Sequence, residues 1–195
     1  MDKKKQKRKI VLASTSPRRK ELLGSTGLDF EAVASSYEED MTLDLPPREL
    51  AKHLSRGKAE TVAEKFEDAI VIAADTFISY NNKVLGKPHT PERAKEMLGA
   101  LSGSVHSVIT GFAIIDTKIG RLHSDYTETK IHFKTLSGDE IDAYVATGDP
   151  LDKAGAYGVQ GLAAGFIDHM EGDYSNVVGL PVSDVMKVLE DFDIF

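Results

Sequence analysis

Apolar residues in the first half of the chain are arranged as in an α/β protein. Runs from Ile10 to Ala13 and from Ala69 to Ala74 are typical of buried strands, and Phe30 to Ala34 is a third candidate. Between Leu50 and Phe66 the apolar residues recur at roughly helical spacing, which predicts a long helix with one buried face. The alternation favours a sheet covered by helices.

The second half of the chain adds hairpins to this alternation. It predicts a hairpin turn at Asn81-Asn82, helices opened by Pro91 and Pro181, long strands over residues 105–116 and 121–133, and a helix with a capping box from Ser137 to Glu140. Because helices and hairpins alternate irregularly, we expect a mixed α/β sheet. A split into two lobes would leave a cleft suited to a ligand.

Charge is unevenly distributed along the chain. The net charge is −7, yet residues 1–9 carry six basic side chains and one acidic one, which leaves 18 basic and 30 acidic side chains in residues 10–195. We expect residues 1–9 to form a basic, disordered tail and residues 10–195 a single domain. The acidic body would repel a nucleic-acid backbone, so no nucleic-acid partner is expected.

Composition excludes several other classes of protein. Because the chain has no cysteine, it cannot contain a disulfide scaffold, a cysteine nucleophile or a thiolate metal site. No apolar run approaches the roughly 20 residues of a membrane-spanning helix. The basic start is also followed by too few apolar residues for a secretory signal. We therefore expect a cytoplasmic protein with no membrane partner.

The turn after the first strand is a candidate phosphate-binding site. Ser16 and Pro17 suit the first positions of a helix, and a helix N-terminus offers free N–H groups to an anion. Ser14 adds a hydroxyl, and Arg18 and Arg19 can bind phosphate oxygens through two hydrogen bonds each. An ordinary first turn with solvated arginines accounts for the same residues equally well.

Asp75 is a candidate catalytic carboxylate. It follows the apolar run ending at Ala74, and we expect it at the C-terminal end of a central strand, where ligands of α/β sheets usually bind. There it could hold Mg²⁺ or act as a general base toward water; an aspartate that caps the next turn is the alternative. The sequence around Lys87 lacks the residue spacing of a P-loop. Lys87 is therefore a candidate phosphate ligand only if the fold places it beside Arg18 and Arg19.

A stretch rich in small residues, from Asp149 to Gly161, contains polar side chains that could face a ligand. Gln160 carries the donor and the acceptor needed to recognise the edge of a nucleobase. A tight structural loop is the alternative. Glu39 lies in an acidic run that could supply a metal ligand or be merely solvated. The six histidines show no metal-ligand pairing such as His-Glu-x-x-His, and we expect His106 to be a packed or surface residue.

Taken in order, several blocks resemble the Maf family of nucleotide pyrophosphatases from about residue 10 to 192. They are Leu12-Ala13-Ser14-x-Ser16-Pro17-Arg18-Arg19, Ala74-Asp75-Thr76, Gly86-Lys87-Pro88, His106-x-Val108-x-Thr110-Gly111, Asp152-Lys153-Ala154-Gly155-Ala156-Tyr157-Gly158-x-Gln160-Gly161 and Val177-Val178-Gly179-Leu180-Pro181. The first and fifth blocks are too long for chance agreement. Ala73 and Asp149 stand where the family often has Gly and Glu, and neither departure removes a matched site residue.

This resemblance implies a fold like that of the inosine triphosphate pyrophosphatases, an elongated mixed sheet in two lobes with a central cleft. It also implies a homodimer, a divalent cation (Mg²⁺, Mn²⁺ or Co²⁺), and hydrolysis of dTTP, UTP or modified pyrimidine nucleotides to the monophosphate and pyrophosphate. By position, the resemblance implies that Asp75 is the proton acceptor and a metal ligand, and that Glu39 is a second metal ligand. It implies that substrate choice is determined by Arg18, Thr76 and Gln160. The phosphate ligands that it implies are Ser14, Arg18, Arg19 and Lys87.

The main alternative is a regulatory protein that senses a nucleotide. The resemblance also implies an association with inhibition of septum formation and cell division, through a partner that the sequence does not identify. A sensor would need the cationic side chains of the site but no carboxylate that activates water, so the presence of Asp75 favours the enzyme. A nucleic-acid binder, the third hypothesis, is disfavoured by the acidic body.

Overall fold

The computed structural model describes residues 6–195, whose seven strands form one sheet. The strands are β1 (Ile10–Leu12), β2 (Phe30–Ala32), β3 (Ile70–Tyr80), β4 (Lys83–Leu85), β5 (Val105–Asp116), β6 (Arg121–Phe133) and β7 (Ile167–Glu171). They follow the order β2-β1-β3-β5-β6-β7, with β4 paired to β3. Because β1 is parallel to β2 and β3 while the β3–β4 and β6–β7 pairs are antiparallel, the sheet is mixed, as predicted.

Most of the helices begin at signals found in the sequence, whereas the short helix Tyr174–Val178 was not predicted. They are α1 (Pro17–Gly24), α2 (Pro47–Ala63), α3 (Pro91–Leu101), α4 (Gly138–Ala146), α5 (Tyr174–Val178) and α6 (Val182–Leu189), and short 3₁₀ turns occupy much of residues 149–166. The predicted capping box of α4 is present, with reciprocal hydrogen bonds between Ser137 and Glu140. Among residues 6–195, no helix combines the length and the apolar character needed to cross a membrane.

The chain divides into two compact units. The first contains residues 6–76 together with Thr110–Thr127 and Ser175–Phe195, and the second contains Phe77–Ile109 and Glu128–Tyr174. Strands β3, β5 and β6 contribute residues to both units. The single domain over residues 10–195 stays a prediction.

In the first unit, the strands are buried on both faces. Even-numbered residues of β1 and β3 pack with α1 and with α6 residues such as Leu189, whereas odd-numbered ones pack with α2 residues such as Val62. Side chains alternate between the two faces of a strand. This alternation directs Asp75 to the face covered by α2 and Thr76 to the opposite face.

In the second unit, α3 packs against α4, and an aromatic cluster includes Tyr144 of α4. Phe133 is at its centre, with edge-on ring contacts to His106, Tyr157 and Phe166. His106 is 3% exposed, and its Nε2 lies 2.6 Å from the Tyr157 hydroxyl oxygen. His106 is therefore a packed core residue, one of the two environments expected from the sequence.

Strand β3 is longer than the sequence analysis predicts. The strand was expected to end at Ala74, with Asp75 at its C-terminal end, but it continues to Tyr80. Two physical reasons explain the difference: Phe77 and Ile78 are both buried, and Ile78 to Tyr80 pair with β4. The turn that follows was predicted correctly. Asp75 consequently lies in the middle of an extended strand rather than at a turn.

Residues 6–9, which the sequence analysis assigned to a disordered tail, contact the first unit. The Arg8 guanidinium donates to both carboxylate oxygens of Asp116 at 2.8 and 3.0 Å, and this pairing lowers the pKa of Asp116. The Lys7 backbone N–H donates to the Ile194 carbonyl at 2.8 Å. The rest of the predicted tail, residues 1–5, lies outside the described residues.

Candidate functional site

Arg19, in the first turn of α1, is held in a fixed orientation by two hydrogen bonds. Its Nε donates to the Gly179 carbonyl at 2.8 Å, and its Nη2 donates to Thr76 Oγ1 at 3.2 Å. Thr76 Oγ1 in turn lies 2.8 Å from the hydroxyl oxygen of Thr110, which is fully buried. Three blocks that are distant in sequence therefore meet at one guanidinium.

The charges around Arg19 link it to the acidic residues of the same unit. Burial lowers the pKa of Arg19, and the neighbouring charge of Arg18 lowers it further, while Asp75 and Glu39 act in the opposite direction. The guanidinium stays charged because arginine titrates far above neutral pH. An anionic ligand would reduce the repulsion between the two arginines.

Lys58, on α2, joins the two acidic residues. Its Nζ donates a hydrogen bond to Asp75 Oδ1 and lies 2.7 Å from Glu39 Oε1. The Asp75 side chain is 9% exposed and that of Lys58 is 12% exposed, whereas Glu39 lies at the surface. A carboxylate that is nearly buried needs a cation to offset its desolvation, and Lys58 supplies that cation.

The sequence places Lys58 on the buried face of α2. Leu54, Lys58 and Val62 are spaced four residues apart, so they share one side of the helix, and the two apolar ones are fully buried. At Gly57, a Cβ atom would lie only 2.3 Å from the Tyr37 ring. The glycine therefore lets the Tyr37 ring pack on α2. Tyr37 is close in sequence to Glu39. The sequence analysis missed Lys58, although a lysine within a buried helical face was a usable signal.

Asp75 and Glu39 are suited to bind a divalent cation. Hard cations prefer carboxylate oxygens, and these two carboxylates already converge on one positive group, the Lys58 ammonium. The donor set therefore fits the Mg²⁺, Mn²⁺ or Co²⁺ that the family resemblance implies.

The start of α1 differs in one detail from the prediction. Ser16 occupies the N-cap position, but its side chain makes no capping hydrogen bond. Instead, the Ser16 backbone N–H donates to the hydroxyl oxygen of the buried Ser14 at 3.2 Å. Arg18 is exposed. The first turn of α1 thus keeps N–H groups that Ser16 does not satisfy.

Lys87 and Gln160 belong to the second unit, and both are exposed. The Gly155 N–H donates to the Gly86 carbonyl at 3.0 Å, which ties the segment before Lys87 to the small-residue loop. Gln160 Nε2 donates to the Tyr174 hydroxyl at 3.3 Å. The second unit therefore presents two polar side chains at its surface with few fixed contacts.

The other polar residues of the small-residue loop stabilise the loop itself. Lys153 Nζ donates to the carboxylate and to the carbonyl of Asp149 at 2.8 and 2.6 Å, and the Tyr144 hydroxyl donates to the same carboxylate at 2.8 Å. The pairing with Lys153 lowers the pKa of Asp149. Tyr157 is buried against His106. Much of this block is therefore structural, and Gln160 is its exposed amide.

Comparisons with known proteins agree with this architecture. A family model described as Maf-like protein matches residues 9–192. The dTTP/UTP pyrophosphatase of Alkaliphilus oremlandii is 47% identical over 189 residues, covering 96% of this chain and 98% of its own length. The dTTP/UTP pyrophosphatase of Bacillus cereus strain AH820 is 47% identical over 187 residues, covering 96% and 97%.

A solved structure, that of the Staphylococcus aureus Ham1 protein, shares the fold. It aligns with a TM-score of 0.55 at 15% identity, over 95% of this chain and 100% of the Ham1 chain. The predicted mixed α/β sheet fold is confirmed.

Proposed function

This chain belongs to the Maf family, and we propose that it is a nucleoside triphosphate pyrophosphatase that hydrolyses dTTP and UTP to the monophosphate and pyrophosphate. Modified pyrimidine nucleotides are further candidate substrates, which would give the enzyme a role in cleansing the nucleotide pool. The observation that carries the proposal is the nearly buried Asp75 carboxylate, paired with Lys58 in the same unit as the fixed Arg19. A protein that only binds a nucleotide has no need of that carboxylate.

Asp75 serves as the general base in this proposal. It accepts a proton from a water molecule whose oxygen attacks the α-phosphorus. The bond from that oxygen to phosphorus forms as the bond to the bridging oxygen breaks, and the electron pair leaves on pyrophosphate. Lys58 orients the Asp75 carboxylate, because its ammonium donates directly to Oδ1.

Cationic and N–H groups stabilise the charge that develops on the leaving pyrophosphate. Arg19 is already oriented by the Gly179 carbonyl and by Thr76, so it loses little entropy when it binds phosphate oxygens. Arg18, Ser14, Lys87 and the first turn of α1 supply further donors. Thr76, bonded to Arg19, couples phosphate binding to substrate choice.

Asp75 and Glu39 would hold a divalent cation, with Mg²⁺, Mn²⁺ and Co²⁺ as the candidates. When bound, such a cation neutralises charge on the phosphate oxygens. Lys58 contacts both carboxylates and thereby keeps the two donors close to each other.

Gln160 is the proposed determinant of base selectivity. Its amide offers one donor and one acceptor, which complement the O4 and N3–H edge of thymine or uracil. Cytosine presents the reverse pattern, so the amide would have to turn over and lose its Nε2 hydrogen bond to the Tyr174 hydroxyl. A homodimer, which the family resemblance implies, completes the proposal. The composition supports a cytoplasmic location, and the acidic body supports the lack of a nucleic-acid partner.

A hydrolysis screen tests the proposed function. Wild type is assayed with Mg²⁺ or Mn²⁺ on dTTP, UTP, CTP, ATP and GTP, with pyrophosphate and orthophosphate measured separately. We expect pyrophosphate from dTTP and UTP, and a loss of at least about 10²-fold in Asp75→Asn, the scale of general-base catalysis. Asp142→Asn is the matched control, because its exposed carboxylate pairs with Lys95 at the surface.

Two outcomes would contradict the proposal. Near-wild-type turnover in a folded Asp75→Asn protein would remove Asp75 from catalysis. Nucleotide binding without pyrophosphate release, from wild type shown to be folded by its thermal unfolding, would favour the regulatory protein.

A further inference from the structure

Two histidines and a glutamate meet on one face of the β6–β7 ribbon, in the second unit. His132 and His169 lie directly opposite each other in the antiparallel register. Their rings stack with 3.9 Å between centroids and an interplanar angle of 18°. Glu171 is two residues beyond His169, so its side chain lies on the same face of β7. Diagonal neighbours across a sheet are within reach of long side chains.

The ligand atoms of these residues are spaced as a small cation requires. Glu171 Oε1 is 2.9 Å from His132 Nε2 and 3.8 Å from His169 Nε2, and the three ligand atoms all lie within 4.8 Å of one another. In a tetrahedral zinc site with bonds of about 2.1 Å, neighbouring ligand atoms are about 3.4 Å apart. Because each Nε2 lone pair lies in its own ring plane, the two rings must turn out of their stack to meet at one ion, and the half-exposed His169 side chain has room to turn.

Asp168 determines which ring nitrogen of His169 carries the proton. The register shifts between His132 and Phe133, which leaves Asp168 as an extra residue in β7, a bulge of the kind that re-aims side chains. The His169 Nδ1 lies 2.8 Å from Asp168 Oδ2. When Nδ1–H donates to that carboxylate, Nε2 keeps its lone pair free. Histidines that bind metal are oriented by carboxylates in the same way.

We propose that His132, His169 and Glu171 form a binding site for a divalent transition metal ion, zinc above all, with a fourth position left to water. Imidazole ligands favour zinc, copper and nickel over magnesium, which separates this site from the carboxylates Asp75 and Glu39. Because the ligands come from both strands, the ion fastens the edge strand β7 to β6. The sequence analysis found no histidine pairing and did not predict this site, because its ligands come together only when β6 pairs with β7.

Calorimetric titration of the full chain with zinc chloride, in a large excess of Mg²⁺, tests this site. We expect one zinc ion per chain, not displaced by Mg²⁺. His132→Gln, His169→Gln and Glu171→Gln should each weaken binding by more than the roughly 10- to 100-fold that loss of a ligand's own hydrogen-bond partner costs. His89→Asn is the matched control, since His89 is exposed with φ of 62°, which asparagine tolerates.

Thermal unfolding gives a second measurement that does not depend on activity. Zinc should raise the unfolding temperature of wild type and of His89→Asn but not that of His169→Gln, while all three unfold alike without metal. Hydrolysis of dTTP with Mg²⁺ should be unchanged in His169→Gln. Absence of zinc binding, or equal zinc affinity in His169→Gln and His89→Asn, would overturn the proposal and leave a hydrogen-bonded imidazole–carboxylate cluster.

Discussion

The two units hold their candidate site residues in different ways. In the first unit, Arg19 is bonded to Gly179 and Thr76, and Asp75 is bonded to Lys58. In the second unit, Lys87 is exposed, and exposed Gln160 has one long hydrogen bond, 3.3 Å, to the Tyr174 hydroxyl. Groups fixed before the substrate arrives stabilise a transition state without reorganising. Exposed side chains lose rotamer entropy when they bind, but they can adapt to different ligands.

This difference suggests a division of labour. In the proposed function, the chemistry on the phosphates, which every nucleotide shares, is assigned to residues of the first unit, and selectivity for the base is assigned to Gln160 of the second unit. Substitutions in the first unit should therefore cause large and general losses, whereas substitutions at the exposed residues of the second unit should cause small and selective ones. The following substitutions test that contrast, from the largest expected effect to the smallest.

Replacing Arg19 should cause the largest of these effects. Arg19→Lys cannot keep both the bond to the Gly179 carbonyl and the bond to Thr76 Oγ1, so the donor would no longer be fixed. We expect kcat/KM for dTTP to fall by about 10²-fold or more, as for loss of one oriented donor at a transition state. The matched control is Arg93→Lys, an exposed arginine paired with Glu96, and it should keep wild-type kinetics. Comparable kinetics in the two variants would contradict a preorganised Arg19.

Enlarging Gly111 should disturb the packing that positions α2, the helix that carries Lys58. A Cβ atom there would lie 2.0 Å from the Ala51 carbonyl oxygen, which is backbone and cannot move cheaply. Gly111→Ala should destabilise the fold by at least the roughly 1–3 kcal/mol typical of overpacking, measured by urea unfolding.

Gly99→Ala provides the contrast in the second unit. A Cβ atom at Gly99 meets nothing within 4 Å, and Gly99 lies inside α3. We expect this change to stabilise the fold by roughly 0.5–1 kcal/mol, because alanine loses less backbone entropy in a helix. Equal effects of the two substitutions would show that Gly111 is not at a close contact.

His106 should make stability depend on pH through the second unit. Burial, with a smaller contribution from His132, lowers the pKa of His106 from 6.5 to about 4. Between these values the unfolded chain binds a proton that the folded chain does not, so stability falls as pH decreases from about 6.5 to 4.

Urea unfolding at several pH values checks this prediction. His106→Gln should reduce the dependence by up to about 1.4 kcal/mol per pH unit within that window, the value for one proton. His89→Asn, which replaces an exposed histidine, should keep the wild-type dependence. The same slope in wild type and His106→Gln would contradict the lowered pKa.

Gln160→Ala should cause the smallest and most selective effect. Because Gln160 is exposed, its loss should leave the unfolding temperature unchanged. Loss of one hydrogen-bonding partner of the base is worth about 0.5–1.5 kcal/mol, so the ratio of UTP to CTP turnover should fall by roughly 2- to 10-fold. An unchanged ratio would remove Gln160 from base recognition.

The elements of this fold were predictable where one local signal determines them. The capping box at Ser137 and Glu140, the hairpin turn at Asn81 and Asn82, with φ of 50° and 59°, and the helical periodicity of α2 all depend on neighbours in sequence. The end of β3 was not predictable in this way. Its residues beyond Asp75 stay extended because Ile78 to Tyr80 pair with β4, a contact that the apolar run alone does not encode.

The candidate site was predictable only in part, for a related reason. The residue pattern indicated Arg19 and Asp75, the family resemblance added Thr76, and the structure shows how each is held. The partner of Asp75, Lys58, comes from a helix that the motifs do not include, and β6 and β7 meet at His132 and His169 only in the folded chain. Side chains that are brought together by tertiary packing leave no fixed spacing in the sequence.

The division of labour is tested most directly by measuring kcat/KM for UTP and CTP side by side in wild type, Asp75→Asn and Gln160→Ala. We predict that Asp75→Asn lowers both values by the same factor, about 10² or more, and leaves their ratio unchanged. Gln160→Ala should change the ratio while kcat for UTP stays within about tenfold of wild type. A changed ratio in Asp75→Asn, or an equal loss for both nucleotides in Gln160→Ala, would contradict the account.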